Sequence, residues 1–208
     1  MRFGRNHTFL LDDDMRPVRE ALETFLREYG GAPFMIFGFT FMVWQYLHEL
    51  VRESSFDLSH GVLIHSGGWK KLTEIAVDNA TFRNHFAQVA GLHRIYNFYG
   101  MVEQMGAIFL EGEDGLLYPP NFADVIIRDP FTLMPLGSGE SGLLEVVCLL
   151  PRSYPGHAVL TEDIGVIRSV DGAGGRRLGC GIEVIGRAPK SELRGCSDTH
   201  AYRMAQAT

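Results

Sequence analysis

Apolar positions along this chain fall first into helical spacing and later into strand spacing. Val18, Leu22, Phe25, Leu26 and Tyr29 recur three and four residues apart behind Asp12-Asp13-Asp14, and Gly30-Gly31 follows as a stop. That pattern predicts one amphipathic helix. After Pro33 the run Phe34-Met35-Ile36-Phe37 predicts a buried strand, and Gly38 leads into a second helical pattern from Phe41 to Arg52. The unit then repeats: His60 to His65 reads as a strand, Ser66-Gly67-Gly68 as a turn, and Trp69 to Val77 as the start of a helix. A helix around Thr81 to Ala90 and a strand from Arg94 to Phe98 complete an alternation that points to a parallel or mixed α/β sheet.

Beyond Tyr99 the character changes. Short apolar strands are expected at Ala107 to Leu110, Asp124 to Arg128, Leu143 to Leu150, Gly165 to Val170 and Gly181 to Ile185, punctuated by Pro119-Pro120, Gly137-Ser138-Gly139 and Gly172 to Gly175. The fold class expected is therefore α/β, a mixed sheet with flanking helices to about residue 100, followed by a β-rich distorted barrel or small sheet. No internal repeat interrupts it.

Composition narrows the picture. At 208 residues and 46% hydrophobic side chains the chain can bury a real core. Its formal net charge of −6 offers no field to gather nucleic acid or an anionic membrane. No run approaches ~18 consecutive apolar residues, so no transmembrane helix is expected. The opening stretch is basic and then acidic, with only Phe9-Leu10-Leu11 apolar, so no signal peptide is expected either. Cys148, Cys180 and Cys196 lack a zinc-ribbon spacing, and their odd number argues against a disulfide framework; a reducing cytoplasm fits.

Several positions could carry chemistry. Ser66-Gly67-Gly68 ends a predicted strand, where open α/β sheets place ligands, and Lys70 and Lys71 follow; the alternative is an ordinary strand-to-helix turn with solvated lysines. Tyr99-Gly100-Met101-Val102-Glu103-Gln104 also follows a strand, so Glu103 stands where a carboxylate can hold magnesium or simply be solvated. Asp163, flanked by apolar strands, would accept hydrogen bonds from ribose hydroxyls or cap a turn. Gly137 to Gly142 is hairpin chemistry. Arg194, two residues before Cys196, would favour the thiolate if the two are close in space; otherwise Cys196 is a small inert hydrophobe. Cys148 belongs to an apolar strand and to the core. His48, His65 and His93 show no metal spacing and read as core or edge residues in helices or strands.

Taken in order, these segments resemble the ordered motifs of the adenylate-forming ligases. Ser66-Gly67-Gly68 looks like the adenine-contacting turn, Tyr99-Gly100-Met101-Val102-Glu103 like the YGxTE motif, and Gly139-Glu140-Ser141-Gly142 like the GExG turn. Asp163 falls at the ribose-binding aspartate, and Gly186-Arg187 resembles the start of the hinge motif. Within that superfamily, His65 to Lys71, the valine at 102 and the ending Leu193-Arg194-Gly195-Cys196-Ser197 look most like LuxE-type acyl-protein synthetases, over roughly residues 30 to 200.

The resemblance implies magnesium-dependent use of ATP to activate a fatty acid or other carboxylic acid as an acyl-adenylate. Transfer to the thiol of Cys196 and onward to an acyl-acceptor reductase would follow. It implies a partial adenylation domain over residues 1–186, with 187–208 as a hinge-like segment and tail. The sequence departs from the superfamily in having Val102 for threonine, no SSGTTG-like phosphate loop, and no large C-terminal domain with a catalytic lysine. A fragment, a split-gene subunit awaiting its N-terminal half, or a degenerate remnant would each fit. Two other readings stand beside it: a relative of phenylacetate-type ligases that transfers to coenzyme A, and a non-catalytic binding module that keeps only the fold.

Overall fold

The computed structural model describes residues 4–69, 76–172 and 177–188. The chain divides into two compact units, Met1–Tyr96 and Asn97–Thr208.

The first unit opens with α1 (Arg19–Tyr29), which buries Leu22 and pairs Arg19 with Glu23 one turn on. The aspartate run before it is a turn rather than a cap: Asp12 Oδ1 accepts from the backbone N–H groups of Asp14 and Arg16, and Val18 is the residue preceding the helix. Strand β1 (Phe34–Phe39) pairs in parallel with β2 (Gly61–Ser66), with Phe34 opposite Gly61 and Phe39 opposite Ser66.

The connection between them is one helical path in three pieces, α2 (Thr40–Met42), a π-helical turn (Val43–Leu47) and α3 (His48–Arg52). Trp44, in the π turn, stacks on His48 and meets Phe82 and His85 with ring centroids 5.3–5.5 Å away. Apolar spacing alone foretold a plain α-helix, because a π turn inserts one residue without changing which residues are apolar. The helix expected from Trp69 to Val77 falls mostly on residues 70–75, outside the described residues. Helix α4 (Asn79–Ala90) is capped by Asp78, which accepts from Thr81 N, and ends at Gly91 in the left-handed conformation. The core of this unit joins Leu22, Val43, Leu47, Leu50, Leu58, Leu63, Phe82, Phe86 and Ile95. Strand β3 (Arg94–Tyr99) runs from the first unit into the second.

The second unit is β-rich. From β3 the strand order is β4 (Phe109–Glu111), β5 (Leu117–Tyr118), β9 (Cys180–Arg187), β8 (Ala158–Val170), β7 (Ser141–Cys148) and β6 (Ala123–Arg128), each pair antiparallel. Alternation along β7 sends Gly142, Leu144, Val146 and Cys148 inward, where they meet Phe109, Val125, Ile127 and Ile182. This is the half-buried pattern of an antiparallel sheet. Cys148 is in the core, as its apolar context predicts.

Two sequence expectations change here. Asp163 does not lie between strands: β8 runs unbroken for 13 residues through Thr161-Glu162-Asp163. Glu162 is exposed and Asp163, on the opposite side of the strand, is only half-buried, so the acidic pair that reads locally as a turn is part of the ladder. Gly186-Arg187 likewise ends a strand, with Arg187 opposite Asp163 and Gly186 opposite Ile164. His93 lies in the segment before β3 and is exposed, whereas His48 and His65 occupy a helix and a strand as expected.

Candidate functional site

The first candidate segment is the end of β2. Ser66 closes the strand, Gly67 takes φ +83°, and a Cβ built on Gly68 would meet nothing within 4 Å among the described residues. A left-handed residue at this point turns the chain off the sheet, and glycine adopts it without the penalty a side chain would bring. The result is bare backbone at the carboxyl end of a parallel strand, the geometry that lets a flat ligand approach peptide groups closely. Lys70 and Lys71 lie outside the described residues.

Just before this turn, His65 is buried with Nδ1 2.9 Å from Thr40 Oγ1. Burial, with help from the Arg83 charge, lowers its pKa to about 4, so it is neutral at physiological pH. It is a core histidine with Nδ1 partnered by Thr40 and Nε2 buried without a hydrogen-bond partner among the described residues.

In the second unit three residues far apart in sequence meet. The Tyr99 hydroxyl at the end of β3 donates to Asp163 Oδ2 at 2.8 Å. Arg187 Nε lies 3.5 Å from the other carboxylate oxygen of Asp163, and its Nη1 lies 3.4 Å from Glu162 Oε2. The Asp163 side chain remains 21% exposed.

Local folding explains the meeting. Asp163 and Arg187 face each other in the β8–β9 register, and directly beyond them Ile164/Gly165 oppose Gly186/Val184, a bulge that leaves Ile185 as the extra residue. Bulges bend a strand and re-aim its neighbours. Gly165 admits the close packing there, since a Cβ at this residue would fall 2.6 Å from Leu144 Cδ1. Burial, and then the Asp163 charge, push the Tyr99 phenol well above its ordinary range. It therefore acts as a fixed neutral donor. An aspartate held by one neutral and one cationic donor, and still reached by solvent, retains lone pairs for hydroxyl groups of a ligand.

Gly100 follows Tyr99, and Glu103 sits exposed on the short 3₁₀ turn Val102–Gln104. Its neighbour Gln104, which sequence reasoning passed over, is buried at 1% exposure. Its Nε2 donates to the carbonyls of Val146, at 3.0 Å, and Gly156, at 2.7 Å. The 3₁₀ turn is thereby tied to β7 and to the segment before β8. A glutamine next to a glutamate carries no local signal of such burial. Among the described residues no group of three or more His, Cys, Asp or Glu could by itself hold a metal ion.

Cys196, the expected acyl acceptor, lies outside the described residues. Cys180 is half-buried, and its thiol is pushed up to about 11 by burial and by Asp124, which suits a structural thiol. Among the described residues no helix is long and apolar enough to cross a membrane.

Comparison with known proteins bears on this arrangement. The model of the family described as "Acyl-protein synthetase, LuxE" matches residues 9–205. A long-chain-fatty-acid–luciferin-component ligase of Aliivibrio fischeri is 26% identical over 173 residues, covering 80% of this chain and 43% of that protein. One of Vibrio harveyi is 30% identical over 148 residues, covering 70% of this chain and 37% of that protein. The chain thus spans less than half the length of these relatives. Among solved structures, a 2-hydroxyisobutyryl-CoA ligase in an open conformation, in complex with 2-HIB-AMP and CoA, superposes with a TM-score of 0.61. Its identity is 18%, over 85% of this chain and 40% of that one, so the likeness is one of fold. With an adenylate-forming ligase fold and a family match over almost its whole length, the chain belongs to the LuxE acyl-protein synthetase family.

Proposed function

We propose that this chain is the nucleotide-binding portion of an ATP-dependent acyl-protein synthetase, which activates a fatty acid as its acyl-adenylate and passes the acyl group to a protein cysteine. One observation carries the reading: Tyr99, Asp163 and Arg187, drawn from three separate motifs, meet at a solvent-reached carboxylate through one hydrogen bond and one ion pair. Asp163 accepts from the ribose hydroxyls of ATP, with Tyr99 and Arg187 fixing its orientation. Ser66, Gly67 and Gly68 offer peptide groups to adenine, and Gly100 keeps the start of the motif turn narrow. Glu103 is exposed and has room to share a magnesium ion with phosphate oxygens, the usual mode for an ion that keeps few protein ligands. Bound there, magnesium would neutralise phosphate charge.

In the reaction proposed, a substrate carboxylate oxygen attacks the α-phosphorus and the bond to pyrophosphate breaks. The Cys196 thiolate then attacks the acyl carbonyl and AMP leaves. An acyl-acceptor reductase is the partner in keeping with this chemistry. The 2-HIB-AMP held by the similar ligase supports the adenylate step. The same reading assigns residues 1–186 to a partial adenylation domain, 187–208 to a hinge-like segment and tail, and the protein to the cytoplasm, where free Cys148 and Cys180 stay reduced.

Equilibrium binding of ATP with magnesium to the wild-type chain and to Asp163→Ala tests the proposal. Saturable binding weakened at least tenfold by the substitution, about 1.4 kcal/mol, is the expected result. Equal binding by both proteins would remove Asp163 from the site, and no binding at millimolar ATP would leave the chain without a working nucleotide site of its own.

A further inference from the structure

The connection between β6 and β7 runs from Asp129 to Glu140, and its first part is Asp129-Pro130-Phe131-Thr132-Leu133-Met134-Pro135-Leu136. Phe131 is 94% exposed, Met134 65% and Leu133 45%. Hairpin connections are ordinarily built of small polar residues and glycine. Three large apolar side chains held in solvent within four residues depart from that, and from the single exposed apolar residues scattered over any protein.

The loop is fixed from within. Asp129 Oδ1 accepts from the backbone N–H of Phe131 at 2.9 Å, from that of Thr132 at 2.7 Å and from the Thr132 hydroxyl at 3.0 Å. The N–H of Leu133 donates to the Asp129 carbonyl, that of Asp129 to the Met134 carbonyl, that of Leu136 to the Ile127 carbonyl, and that of Met134 to Thr132 Oγ1. Pro130 and Pro135 have no N–H to satisfy. Every amide donor from Asp129 to Leu136 is therefore either absent or bonded inside the hairpin. Arg128 Nη1, at its base, donates to the Leu133 carbonyl, and Leu133 itself is held at φ +58°, a strained conformation for a bulky residue. Such strain persists only where the surrounding bonds over-determine it, and it clusters at sites of function.

Apolar side chains above a backbone with no free N–H suit a medium that forms no hydrogen bonds, the acyl region of a lipid layer. Charge narrows the lipid. Residues 129–140 contain no Lys, Arg or His and carry Asp129 and Glu140, so anionic headgroups gain nothing from this loop. The bonds from Thr132 and Phe131 hold the Asp129 carboxyl below its ordinary range, so it stays charged and marks the depth at which insertion stops. We infer that the loop of Phe131, Leu133 and Met134 is a shallow anchor to a zwitterionic lipid surface, its side chains among the acyl chains and Asp129 at the headgroups. The choice of a lipid occupant rests on the fatty-acid reading above, because a long-chain acid partitions into bilayers and an anchored synthetase meets it there. Vesicle binding is measured without ATP, so either reading can fail alone.

The test is co-sedimentation of the purified chain with vesicles of phosphatidylcholine. Wild type is expected to sediment with them equally at low and high salt. Phe131→Ser/Met134→Ser should lower the partition coefficient at least tenfold with an unchanged thermal unfolding midpoint. Phe131→Trp should bind like wild type, and its added fluorescence should be quenched by brominated phosphatidylcholine. Leu149→Ser, at a 78% exposed apolar site in the same unit, should also bind like wild type. Absence of the wild type from the vesicle pellet, equal sedimentation of the double variant, or unquenched fluorescence of Phe131→Trp would overturn the inference. Binding confined to vesicles containing phosphatidylserine and lost in salt would assign the contact to charge and overturn it too. Self-association of the wild type that the double variant abolishes, without vesicle binding, would give the loop to a second copy, with the same consequence.

Discussion

Gln104 shows how much a single side chain can align. Its amide is the donor for two carbonyls on different segments of the second unit, so truncation would leave both without this donor. Gln104→Ala is expected to lower stability by about 1–3 kcal/mol, read as a shift in the urea midpoint with little change in slope. Tyr99→Phe removes one donor from Asp163 while leaving the ring against Phe109, so the fold should hold and ATP affinity fall several-fold by calorimetry. At this scale the candidate site was only partly legible. The order of the motifs named Tyr99, Asp163 and Arg187, yet their contact depends on a cross-strand register and a bulge that no local window contains. Glu162, which shares Arg187 with Asp163, is likewise visible only in three dimensions.

Elements were easier to read than contacts. Apolar runs found β1, β2, β6 and β7 within a few residues, but β1, expected to be buried, alternates between half-buried and exposed positions, because a continuous apolar run does not tell a two-sided strand from a one-sided one. Capping chemistry at α4 is a local signal with a measurable consequence. Asp78→Ala should cost about 1 kcal/mol through the lost bond to Thr81 N. Gly91→Ala, at φ +65°, should cost about as much through backbone strain, both read from thermal unfolding. Two elements defeated the pattern for opposite reasons. The π turn hides inside an apolar run whose composition suits an α-helix equally well, and β8 hides behind acidic residues that, taken alone, speak for a turn.

For the whole molecule, buried histidine makes acid stability the telling observable. The imidazole of His65 stays neutral down to about pH 4 when folded, whereas in the unfolded chain it takes a proton near its ordinary 6.5. The unfolded state therefore binds more protons between these values, and stability falls as pH drops through that window, by up to about 3 kcal/mol from this group. His48 and His85, also held low by burial, act in the same direction. Urea midpoints taken from pH 7 to pH 4 should decline, and His65→Gln should flatten part of the decline. The broad architecture, an α/β portion followed by a β-rich one, was legible because the spacing of apolar residues changes near Tyr99, three residues from the boundary between the two units. That boundary falls inside β3, whose first three residues belong to one unit and last three to the other. A gene divided there would cut a strand across its middle and give each product half a ladder. A piece meant to carry the first unit should be cloned through Tyr99, and one meant to carry the second should begin no later than Arg94.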